Sequence, residues 1–108
     1  MQRLMGLLAL CLPMLTLPAG AVELGNKEEG HAYAQKFCTD CHAIEKDETL
    51  LFSDVPSFQE VADSEGMSPR ALSVWLRTSH PNMPDFIIPP DDIDNIVAYV
   101  MSLRTPKQ

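Results

Sequence analysis

The chain has 108 residues, with 15 acidic against 8 basic side chains and a net charge of −7. That balance excludes nucleic acid and anionic membrane surfaces as partners, and the length allows one domain. It leaves room for a partner with a positive docking face.

The first 21 residues read as an export signal. Met1-Gln2-Arg3 carries a positive charge, and an apolar run from Leu4 to Leu17 follows, interrupted by Pro13. Ala19-Gly20-Ala21 then fits the small-x-small cleavage rule. The run is shorter than the ~20 residues that a membrane span needs, so no anchor is expected after cleavage at Ala21. Cys11 is lost with it. The mature domain, Val22 to Gln108, keeps two cysteines, Cys38 and Cys41, and without Arg3 its net charge is −8. A domain this short buries only about 60–65% of its unfolded surface and is marginal unless it packs on something more.

Asn26 with Glu29 predicts a capping box for a first helix over about Lys27 to Phe37. Ala43 to Val55 reads as a loop, with the run Glu45-Lys46-Asp47-Glu48 exposed. Pro56 precedes a second capping box, Ser57 with Glu60, and a short helix from Phe58 to Glu65 that Gly66 ends. Ser68 caps a third helix with Pro69 at its first position, an apolar stripe of Leu72, Trp75 and Leu76, and Pro81 as its stop. The stretch from Ser79 to Phe86 has no periodicity. Pro90, followed by Asp91 and Asp92, opens a last helix to about Arg104, with Ile93, Ile96, Val97, Val100 and Leu103 at helical spacing. The expected class is all-α, with about four helices.

Between the first helix and the loop lies Cys38-Thr39-Asp40-Cys41-His42, which is C-x-x-C-H, the attachment signature of c-type haem. Two thiols three positions apart on a helical turn can both form thioethers with one porphyrin edge, and the adjacent His42 can reach the iron. Three other readings compete. A thioredoxin-like site needs a βαβ setting, and strand-like runs are missing. A zinc site needs four ligands, so His31 or His80 would have to complete it. A local disulfide leaves His42 without a role. Export favours haem, because haem c is attached outside the inner membrane.

A six-coordinate iron needs a second axial ligand. Thioether sulfur opposite histidine raises the reduction potential. Met101 falls in a regular helix and Met67 sits beside a helix start. Met83, between Asn82 and Pro84, lies on a loop that can fold over a haem face; a lone methionine is otherwise core filler. His80, three residues earlier, is the rival.

These residues resemble class I cytochrome c over nearly the whole mature chain. Gly30 stands eight residues before Cys38. Ile96 and Tyr99 match the last-helix pair that crosses the first helix at that glycine. Leu72-x-x-Trp75-Leu76, then Met83-Pro84, is similar to the family's helix and methionine loop, and Pro56-Ser57-Phe58 is similar to its small bacterial members. Ala34 departs from a position often aromatic, and the Gly-Pro pair usual after the haem motif is missing. The resemblance implies a cytochrome c fold wrapped around one covalent haem, with the first and last helices crossing. It implies His42 and Met83 as axial iron ligands. A carbonyl at Pro56 would take the second imidazole N–H, and Trp75 would pack on the methionine side. The implied function is one-electron transfer by a periplasmic, monomeric, monohaem carrier that is not an enzyme. Its partners would be redox proteins: a dehydrogenase, an oxidase or another cytochrome. The alternatives are an electron-accepting subunit of a periplasmic dehydrogenase, or a haem sensor or peroxidase-like protein with an open sixth position.

Overall fold

The computed structural model describes residues 25–51, 54–85 and 87–108. The expected signal peptide, residues 1–21, lies outside them. Among the described residues four helices run in order: α1 Lys27–Phe37, α2 Phe58–Asp63, α3 Pro69–Leu76 and α4 Pro90–Ser102. Among the described residues there is no strand, and no helix is long and apolar enough to cross a membrane.

The core forms on α4, which places Ile93, Ile96, Val97, Tyr99 and Val100 inward and packs against all three other helices. Phe58, Ala62, Leu72 and Ile88 fill the space from the other side. The crossing of α1 on α4 is a backbone contact. A Cβ added at Gly30 would stand 2.0 Å from the Asn95 carbonyl oxygen, and one at Gly25 would stand 2.1 Å from that of Asp94. Ala34, one turn beyond Gly30, is fully buried. A methyl fits where an aromatic ring would hold the helices apart, so the departure at Ala34 goes with a close crossing.

Local signals explain the helix starts. Asn26 accepts from the Glu28 and Glu29 amides at 2.9 and 3.0 Å. The return half of the expected capping box is replaced. Asn95 on α4 accepts from the Asn26 amide at 2.7 Å and donates to Glu29 at 3.0 Å. At α2 the box is complete, with Ser57 Oγ and the Glu60 carboxylate each accepting the other residue's amide.

Three helices stop earlier than expected. α2 ends at Asp63 because Ser64 turns back on Val61, and Gly66 with φ +75° makes the following corner. α3 ends at Leu76, short of Pro81. There the Arg77 and Thr78 amides tighten onto Val74 and Trp75, and Thr78 Oγ1 donates to the Trp75 carbonyl as well. α4 ends at Ser102, and Arg104 just beyond it is a clamp. Its guanidinium donates to the Ala62 carbonyl in the last turn of α2 at 2.9 Å and to the Met67 carbonyl, in the turn before α3, at 2.5 Å. Thr105 adds two bonds to Asp63, each 2.7 Å.

Candidate functional site

The Cys38–His42 segment continues the turn of α1. The Cys38 amide donates to Ala34 and the His42 amide to the Cys38 carbonyl, both at 2.9 Å. Both cysteines are free thiols, Cys38 half-buried and Cys41 exposed. Burial, with Cys41 adding to it, pushes the Cys38 thiol up to about 11. A dithiol redox site needs the reverse, a thiol depressed toward neutrality. Among the described residues no three His, Cys, Asp or Glu side chains group as a metal site.

His42 is oriented by the loop that follows it. The Phe58 amide donates to the Ala43 carbonyl at 2.9 Å and closes that loop at its base. Pro56 is thereby returned beneath His42. The Ser57 carbonyl begins the α2 ladder, so the Pro56 carbonyl one step earlier is outside the helix and can accept elsewhere. It accepts from His42 Nδ1 at 2.6 Å. A carbonyl only accepts, so Nδ1 carries a proton, and in the neutral ring the free lone pair falls to Nε2, where it could take a metal. The Phe58 ring, 5.3 Å from the imidazole, limits its rotation.

The second half of the site is the loop after α3. Met83 is partly buried and lines a cavity of about 30 Å³ with Leu76, His80 and Ile88. Ser79 Oγ donates to the Asp85 carboxylate at 3.1 Å and ties the loop's ends together. Asn82 turns it with φ +68°. Trp75 is 52% exposed, so it is no ordinary core residue, and it stacks on His80 with ring centroids 4.0 Å apart. Phe37, beside Cys38, is 49% exposed. Arg77 bonds to Ser73 on its own helix.

These residues fit a haem. There is an imidazole with its outer nitrogen fixed, two free thiols at thioether spacing, a thioether on a tied loop, and aromatic surface that the helical core does not take up.

Several supporting residues escaped the sequence reading. Glu48 accepts from the Ile44 and Glu45 amides, both at 3.0 Å, so a residue expected merely to be exposed shapes the loop after the motif. His31 is bridged to Glu45 at 2.6 Å and lies on the Tyr99 ring at 4.8 Å. Tyr99 donates to the Ile44 carbonyl at 2.8 Å. Burial, then Glu45 and Glu48, push its phenol up to about 12. The Glu48 bonds are local, within four residues, whereas those of His31 and Tyr99 are not. His31 and Glu45 stand 14 residues apart and Tyr99 and Ile44 stand 55 apart, so the fold alone joins these two pairs.

A helical shell with these features is that of a small c-type cytochrome, carrying covalently bound haem c and its iron. Residues 25–100 match the family described as cytochrome c oxidase, cbb3-type, subunit III, and the chain belongs to that family. It is 34% identical over 79 residues to cytochrome c-552 of Bradyrhizobium diazoefficiens, a match covering 71% of this chain and 76% of the relative. No solved structure matches it. Electron transport with redox partners is the business of this family, whose members are typically exported.

Proposed function

We propose that the chain is a periplasmic, monohaem electron carrier with His/Met ligation and no catalytic site. Cys38 and Cys41 hold the haem through thioethers, and His42 and Met83 are the axial ligands. Trp75 packs on the methionine side. The haem supplies one-electron chemistry when bound. The chain's residues hold the ring, orient the imidazole, keep water from the iron and present a docking face.

The observation that carries this reading is the 2.6 Å bond from His42 Nδ1 to the Pro56 carbonyl. A carbonyl that accepts from the outer ring nitrogen in this way fixes a ligating imidazole and raises its basicity. With His42 and Met83 both holding the group, no position would be left for an external ligand, as a carrier requires. An enzyme or sensor would need an open position.

The test is a visible spectrum of the exported holoprotein. A ferric iron–sulfur charge-transfer band at long wavelength is expected, and Met83→Ala removes it and lowers the potential by on the order of 0.1 V. A variant that keeps band and potential excludes Met83. The family's description, that of an oxidase subunit, supports a second reading as a subunit of a larger redox enzyme. That arrangement has the same spectrum, but the protein would co-purify stably with a larger partner.

A further inference from the structure

We propose that His80 is a reserve axial ligand, parked against Trp75, which takes the iron when Met83 leaves it. This rests on the His42/Met83 reading above. Three observations carry it. His80 and Met83 line the same small cavity, three residues apart on one loop. That loop is tied at Ser79 and Asp85 and turned at Asn82, so exchanging one side chain for the other requires rotation within the tie, with no helix displaced. The other two histidines are engaged through their ring nitrogens, His31 by Glu45 and His42 by Pro56. Among the described residues His80 has no hydrogen-bond partner on its ring. Its contact is the stack on Trp75, at 4.0 Å and 28° between planes.

A stack without hydrogen bonds holds an imidazole in place and leaves its lone pair uncommitted. The exchange breaks one iron–sulfur bond and forms one iron–nitrogen bond. The electron pair comes from the neutral ring of His80, and the oxidation state of the iron does not change. Imidazole nitrogen is a harder donor than thioether sulfur, so the ferric state favours the exchange and the ferrous state reverses it. The result is a second, lower-potential form that stays closed to external ligands.

The test compares Met83→Ala, His80→Ala and the double variant as matured holoproteins, with covalent haem and helical content checked in each. Met83→Ala is expected to lose the iron–sulfur band yet remain low-spin and six-coordinate. Its reduced form is expected to bind carbon monoxide at least about tenfold more slowly than the double variant, as for an iron open in at most one molecule in ten. The double variant is expected to be high-spin. His80→Ala alone is expected to keep the wild-type spectrum.

Identical high-spin spectra and carbon monoxide rates in Met83→Ala and the double variant overturn the proposal, and so does a double variant that stays low-spin through another ligand. Loss of the band in His80→Ala alone also overturns it, since His80 would then be needed for the resident state. Retention of the band in Met83→Ala removes the His42/Met83 reading itself and this proposal with it. Loss of the band with no difference between the two variants removes only the role of His80.

Discussion

The crossing of α1 on α4 at Gly30 offers a test with a definite sign. Gly30→Ala puts a methyl 2.0 Å from the Asn95 carbonyl oxygen, where ordinary contact begins near 3.4 Å. The neighbour is backbone within another helix, so no side chain can swing aside, and α1 and α4 must part locally by more than 1 Å. Overpacking of a well-filled site costs about 1–3 kcal/mol, and a backbone obstacle belongs at the upper end. Against that, alanine in a helix interior gains about 1 kcal/mol over glycine. The net expectation is a loss of about 2 kcal/mol, a large share of the 5–15 kcal/mol typical of a whole domain. Urea unfolding of the holoprotein reads it as a midpoint lower by about 1 M, for a slope near 2 kcal/mol/M. Gly66→Ala is the control, because nothing lies within 4 Å of its added methyl and only its φ of +75° is strained. It should cost about 1 kcal/mol. A Gly30→Ala protein as stable as the wild type would refute the close crossing.

Asn95→Ala removes one acceptor and one donor that join α4 to the start of α1. It is expected to cost about 1–2 kcal/mol in the same unfolding experiment. Tyr99→Phe should cost about 1–2 kcal/mol near pH 8, since the Ile44 carbonyl loses its donor. The fold holds this phenol neutral up to about pH 12. Its stabilising contribution is therefore complete below the ordinary phenol value near 10 and is lost as pH rises from about 10 to about 12. Wild type and variant should converge over that window, and parallel curves would exclude the coupling. Asp63 is held below the usual carboxylate range by its bonds to Thr105. That contribution is present above the unfolded value near 3.9 and fades as pH falls through the depressed one. Asp63→Ala should leave the residues after Leu103 open to carboxypeptidase at neutral pH, where the wild type resists.

Much of this architecture is local and could be read from the chain. The start of every helix follows from a cap or a proline beside it, at Asn26, Ser57, Ser68 and Pro90. The apolar spacing of Ile93, Ile96, Val97, Val100 and Leu103 marks the inward face of α4. C-x-x-C-H points to its cofactor because the chemistry of attachment dictates the spacing. The helix ends were less legible, since α3 stops through turn hydrogen bonds at Arg77 and Thr78 that no breaker residue announces. Least legible were the partnerships set by tertiary placement. Nothing in the chain around Asn95 or Gly25 marks the contacts that these residues make. Each gets its role from a group that only the folded chain brings near.

The displaced half of the α1 capping box has a consequence for how the domain assembles. The first helix takes part of its terminal satisfaction from Asn95, 69 residues downstream. The helix that leads into the haem motif is therefore incomplete until the last helix has been synthesised and docked. The two form one cooperative unit, which should open to solvent exchange together rather than fray separately. The motif is then presented on a segment not yet locked, which suits covalent attachment before final closure.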